Sequence, residues 1–240
     1  MTKRVLFASG VAALAFVAPA QAAPAFSWNG FYIGANAGGI WGDIDVTNVI
    51  NNTNFVDIAP GAVFSFSPDG VLGGAQLGYN FQMAGWLLGL EIEGHGMDLD
   101  DAIAVAPEPD LFSVESEWGA SAALRLGFLV NPNGMLYVKG GYATGDVKTF
   151  YLDDTASRRG SVSTDETHHG WIAGAGWEHM ISPDVSFGVE YNYIDLGETD
   201  HSAVPVLFGT ATGTLVVHDV DAQFHTVTAR LNWHWNWGPM

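Results

Sequence analysis

From residue 31 onward, apolar and polar side chains alternate with period two rather than the 3.6 of a helix. The run from Phe224 to Trp235 is the clearest. Val227, Ala229, Leu231, Trp233 and Trp235 lie on one face, and Thr226, Thr228, Arg230, Asn232 and His234 on the other. The run near 185–193 places Val185, Phe187, Val189, Tyr191 and Tyr193 opposite Ser186, Gly188, Glu190 and Asn192. The run near 117–128 places Trp118, Ala120, Ala122, Leu124, Leu126 and Phe128 opposite Glu117, Gly119, Ser121, Ala123, Arg125 and Gly127. Five further strands are expected near 31–43, 71–82, 86–97, 135–148 and 168–180. Each is long enough for a tilted membrane-crossing strand, which needs about 9–11 residues.

Three connections are tight: Met83-Ala84-Gly85, Asn131-Pro132-Asn133-Gly134 and Ser182-Pro183-Asp184. Four are long, near 46–69, 98–114, 149–167 and 199–219. Eight antiparallel strands with short turns at one end and long loops at the other predict an all-β, up-and-down transmembrane barrel, with short periplasmic turns and four extracellular loops. A soluble sandwich or barrel would also alternate, with its apolar face inward. Here the polar face carries many glycines and isolated charges, which suits a narrow polar lumen. Aromatic spacing agrees. Phe31 and Trp41, like Trp118 and Phe128, are ten residues apart, which covers about 25 Å along a tilted barrel axis. Trp86, Phe187, Trp233 and Trp235 join Phe31 and Phe128 in a lower girdle. Trp171, Tyr193 and Phe224 join Trp41 and Trp118 in an upper one.

The first residues differ from the rest. Lys3 and Arg4 precede an uncharged apolar run from Val5 to Ala18, and Ala20-Gln21-Ala22 is a small-x-small cleavage signal. Residues 1–22 are therefore expected to be a cleaved secretory signal peptide, and 23–240 a single barrel domain. The apolar run is too short for a spanning helix.

Composition narrows the function. Eight Lys and Arg face 26 Asp and Glu, a net charge of −18, so a nucleic-acid partner is not expected. Without Cys there is neither a disulfide scaffold nor a Cys-ligated metal. The segment WNGFYIGANAGGIWG (Trp28 to Gly42), with GGAQLGYNFQ (Gly73 to Gln82), GWIAGAGWEHMIS (Gly170 to Ser182), VEYNYIDLG (Val189 to Gly197) and ARLNW near the end, resembles the alphaproteobacterial outer-membrane β-barrel proteins, the small surface proteins of brucellae and rhizobia. The resemblance implies a structural protein or small porin of the cell outer membrane. It also implies contact with lipid, lipopolysaccharide and the barrel-assembly machinery, and some members are reported to bind haemin. Such barrels usually end on an aromatic residue, whereas Asn236 to Met240 run past Trp235 here, so either Trp237 serves as the end signal or the signal is weaker.

Candidate chemistry is sparse. No nucleophile constellation is apparent. His218-Asp219 with Asp221 is a faint echo of outer-membrane proteases, and His201-Ser202 lacks the spacing of a deacylase pair. The lumenal charges Glu91, Glu93, Glu117, Arg125, Lys139, Glu178, Glu190 and Arg230 are the best-defined site. They read either as a salt-bridge plug, which an eight-strand interior favours, or as a narrow cation-leaning pathway kept open by inward glycines. His168, His169, His201 and His218 fall in or beside loops, where imidazoles could ligate haem iron or a metal. Loop acids such as Asp98, Asp100, Asp101 and Asp110 read as a hydrated surface and match no calcium loop. The sequence thus predicts no cofactor, no resident metal and no catalysis. It predicts a structural envelope role, with a narrow porin or a haemin-binding surface protein as alternatives.

Overall fold

The computed structural model describes residues 26–49, 60–105, 110–153, 160–207, 210–211 and 216–235. The expected signal peptide and Trp237 lie outside the described residues. In chain order the strands are β1 (Gly30–Asn48), β2 (Val63–Phe66), β3 (Asp69–Met83), β4 (Trp86–Val105), β5 (Asp110–Asn131), β6 (Gly134–Asp153), β7 (Gly160–Ser182), β8 (Val185–Ala203), β9 (Val206–Leu207), β10 (Thr210–Ala211) and β11 (Val216–Trp235). Eight are long. Each long strand pairs antiparallel with its sequence neighbour, β7 pairs with β8, and β1 pairs with β11. The sheet thereby closes into a ring with no free edge, which lets backbone groups pair strand to strand as a lipid environment demands. The three short strands sit at the end with the long connections. At the other end, two-residue turns join β3 to β4, β5 to β6 and β7 to β8. Ala84 in the first of these is the one described non-glycine residue in the left-handed region, with φ 53°.

The wall is inside out relative to a soluble protein. Leu124, Leu90, Val138 and Leu231 are more than half exposed, whereas Arg125, Arg230, Glu178 and Glu190 have at most 1% of their surface exposed. An apolar outer band of this size would aggregate in water, and it is the surface that lipid solvates.

The polarity then reverses along single strands. Below Trp41, β1 points Phe31 and Ile33 outward and Tyr32 and Asn36 inward. Above it, Asp43 and Asp45 point outward and Ile44 and Val46 inward. β11 changes at the same level: Arg230 and Asn232 are interior below, and Phe224, Ala222, Val220 and His218 are interior above. The strands therefore continue past the apolar band as a second storey with a greasy core and a polar outside, which water solvates. The sequence placed loops near 46–69, 98–114, 149–167 and 199–219, but strand runs into all four and takes up most of the last three. It also placed Phe224 in the upper girdle. Phe224 has the parity of Thr226 and is 3% exposed, inside the barrel.

Two packing joints recur in the lower storey. Tyr32 on β1 lies over Gly78 on the adjacent β3, and Tyr137 on β6 lies over Gly176 on the adjacent β7. A methyl group at either glycine would overlap the tyrosine ring. Gly176→Val is therefore expected to destabilise the barrel by about 1–3 kcal/mol. Gly94→Ala, on the outer wall where nothing lies within 4 Å of the added carbon, should stay within about 0.5 kcal/mol. Urea unfolding of the refolded variants, followed by tryptophan fluorescence, checks both.

Candidate functional site

The lumen of the lower storey holds one continuous polar cluster. Glu91 and Glu93 come from β4, Arg125 from β5, Lys139 from β6, Glu178 from β7, Glu190 from β8 and Arg230 from β11. Alternation alone puts them inside, since each shares parity with the buried positions of its strand. Arg230 bridges Glu91 and Glu190. Lys139 Nζ donates to Glu190 at 2.7 Å and Glu93 at 2.9 Å, and reaches Glu91 at 3.4 Å. Arg125 donates to Glu178 at 2.8 Å and to the Tyr32 hydroxyl at 2.6 Å. Its guanidinium carbon also sits 3.9 Å from the centroid of the Tyr137 ring, where the ring face attracts a desolvated cation.

Neutral groups finish the network. Tyr32 OH donates to Glu91 at 2.7 Å and Tyr137 OH to Glu190 at 2.6 Å. Asn36 donates to Glu93, and Gln76 to Asn232, which donates to Glu178. All eight long strands contribute a side chain. Four carboxylates face three permanent cations here. His95 and His234 lie 3.1 and 3.6 Å from carboxylate oxygens, so a proton on either would bring the cluster to neutrality. Glu91, Glu93 and Glu190 are close enough to share a metal ion, but the ammonium and guanidinium groups already occupy their oxygens.

Glu117 does not belong to this cluster. Residues 116–118 of β5 bulge between Glu115 and Gly119, and the Asp146 carboxylate accepts the Glu117 and Trp118 N–H groups at 3.0 and 2.8 Å. An extra residue shifts the alternation by one. Ser116 is therefore buried, and Glu117 faces out, paired with Lys148 at 2.5 Å. The five-to-three imbalance of the sequence becomes four to three.

Apolar layers seal both ends. Trp28, Leu87, Met135 and Met180 close the short-turn end. Ile40, Leu72, Phe112, Ile172 and Phe224 belong to the larger upper core. Within it, beside Met97 and Ile172, the cavity is about 30 Å³, room for only a water or two. The sequence missed these layers because it treated the interior as polar throughout.

The aromatics assigned to girdles, Phe31, Trp41, Trp86, Trp118, Phe128, Trp171, Phe187, Trp233 and Trp235, all lie on the outer wall, between 37% and 51% exposed. Trp86 packs on Phe128, Trp171 on Tyr193, and Trp233 on Trp235.

The histidines separate. His169 faces outward and accepts or donates a 2.6 Å hydrogen bond with Tyr142. His168, His201 and His218 are not on solvated loops: they are buried inside the upper storey. Alternation along β8 would put His201 outside, but the register slips between Gln223 and Asp221, opposite Gly197, whose φ is +64°. The slip turns His201 inward. Burial holds all three imidazoles neutral, pulling His201 down to about 3 and His218 to about 4.

The family described as outer membrane protein β-barrel domain matches residues 9–234. The 31 kDa outer-membrane immunogenic protein of Brucella melitensis is 32% identical over 219 residues, covering 87% of this chain and 84% of that one. The 22 kDa outer membrane protein of Rhizobium leguminosarum is 29% identical, covering 74% and 69%. Among solved structures, the outer membrane protein OprG of Pseudomonas aeruginosa aligns with a TM-score of 0.47 at 14% identity, covering 88% of this chain and 99% of that one.

The cluster makes a sharp energetic prediction. Arg230→Ala should cost about 3–5 kcal/mol, because it leaves Glu91 and Glu190 buried beside one cation fewer. Glu117→Gln removes a half-exposed surface pair and should change stability by less than about 1 kcal/mol. Equilibrium urea titrations of refolded protein measure both.

Proposed function

This chain belongs to the outer-membrane β-barrel protein family and lies in the cell outer membrane, and on that premise we propose that it is a closed structural barrel rather than a pore. The observation that carries this reading is the filled lumen: a paired charge cluster capped above and below by apolar side chains. The inward glycines had kept a pathway plausible. Most leave no free space, because neighbours already occupy it, and Gly119 borders only the small cavity beside Met97. A carbon on Gly34 would collide with Asn232, one on Gly174 with Asn192, and one on Gly127 with Met135.

The role follows from what remains exposed. The lower wall binds lipid. The upper storey presents acids such as Asp43, Asp45, Glu198 and Asp200 to the outside, where divalent cations and lipopolysaccharide headgroups are the natural contacts. The assembly machinery is the expected partner during insertion, and nucleic acid is not a partner. Catalysis has no support in this reading. His218 points into the barrel, while Asp219 alternates to the other face of β11 and sits opposite Asp200, so the two form no acid–base pair. Haemin capture by surface histidines is disfavoured too, because His169 alone of the four candidates is on the surface.

Planar-bilayer recording of refolded protein tests the reading. Protein shown to be folded by heat-modifiable gel migration should give no stable conductance steps, and Glu117→Gln should be equally silent. Reproducible cation-selective steps would overturn it in favour of the porin.

A further inference from the structure

We propose that His168 and His201 form a binding site for an imidazole-preferring first-row divalent ion, of the zinc, copper or nickel type, inside the extracellular storey. The two rings approach from β7 and β8 with their Nε2 atoms 2.8 Å apart. Two nitrogens bound to one such ion at about 2.0–2.1 Å each, in adjacent coordination positions, are separated by about 3 Å. Both rings are fully buried.

The outer nitrogens complete the case. His201 Nδ1 is 2.6 Å from the Thr164 hydroxyl, which is 2.7 Å from Thr149. A ligating histidine is held in this way, with its far N–H tied to an oxygen. The far side of the His168 ring faces the Gly197 backbone carbonyl, an oxygen placed to hold its N–H. With only the 2.8 Å contact between two neutral rings, one proton sits between them, and one lone pair capable of binding a metal is spent on it. An ion between the Nε2 atoms takes both lone pairs, and the shared proton moves to the Nδ1 of the ring that carried it, where the Thr164 hydroxyl (for His201) or the Gly197 carbonyl (for His168) can accept it. Both rings stay neutral, so the number of bound protons does not change.

Two further features favour a cation here. His218 lies directly opposite His201 across the β8–β11 pair, is buried, and has an unpartnered Nδ1, so a rotamer change can supply a third imidazole. On the outer face of the same two strands Asp200 sits opposite Asp219, and Glu198 opposite Asp221. Four acids on the outer face of this wall raise the local cation concentration. An all-nitrogen donor set disfavours calcium and magnesium, which require oxygen.

The probe is copper(II) added to the refolded, untagged barrel in detergent, read by electron paramagnetic resonance with zinc(II) as competitor. The expected spectrum shows nitrogen splitting from imidazole ligands, and zinc removes it. His168→Ala and His201→Ala should each weaken binding about tenfold or more, and Thr164→Val, which leaves both ligands in place, by about tenfold. His169→Ala should leave it unchanged. Heat-modifiable migration establishes that each variant is folded, and His201→Gln serves if the alanine variant is not. A spectrum with oxygen ligands only, or nitrogen splitting that survives His168→Ala and His201→Ala in folded protein, would overturn the site.

Discussion

The structure turns on one constraint: charges enclosed by a barrel wall have lipid behind them and no water in front. Each must find its counter-charge among the other strands. Arg230 cannot be separated from Glu91 and Glu190 without leaving unpaired ions in a space sealed by Trp28 at one end and by Ile40, Leu72 and Phe224 at the other. Because the partners come from β4, β5, β6, β7, β8 and β11, the pairing also fixes which strand lies across from which. An isolated buried ion pair is a poor source of stability. A cluster finished by Tyr32, Tyr137, Asn36, Gln76 and Asn232 pairs every charged terminus, leaving Arg125 Nε, Arg230 Nε and Asn36 Oδ1 unpartnered, and ties the ring together.

The other features serve this cluster. Gly78 and Gly176 lack side chains so that Tyr32 and Tyr137 can lie flat against the wall and aim their hydroxyls at Glu91 and Glu190. The apolar layers exclude water from the charges. They also account for the closed reading, since an ion would have to pass Trp28, the charges and the upper core in turn. The Brucella and Rhizobium relatives place the chain among outer-membrane proteins, and the filled interior is what supports the proposal of a closed barrel.

Much of this was legible in the sequence. Eight strands, their turns, the closure and seven of the eight lumenal charges follow from period-two alternation. The failures share one physical cause. Alternation is a local count, and a bulge adds one to it. The bulge at residues 116–118 moved Glu117 outward, and the slip opposite Gly197 moved His201 inward. Neither is marked by a proline or a run of turn residues. The upper storey was missed for a different reason. Its alternation continues, as Asp43, Ile44, Asp45 and Val46 show, but with polarity reversed, because the outer solvent changes from lipid to water. The reversal breaks the apolar-outside pattern and so resembles loop, but it marks where the membrane ends.

The most direct measurement of the central claim is a double-mutant cycle between Arg230 and Glu190, using Arg230→Met, Glu190→Gln and the pair in refolded barrels. A sealed, water-free cluster predicts a coupling energy in the upper part of the range for interacting residues, about 2–3 kcal/mol, that hardly changes with salt. A coupling below about 1 kcal/mol that falls further as salt is added would mean a hydrated lumen, and the closed barrel would have to be abandoned.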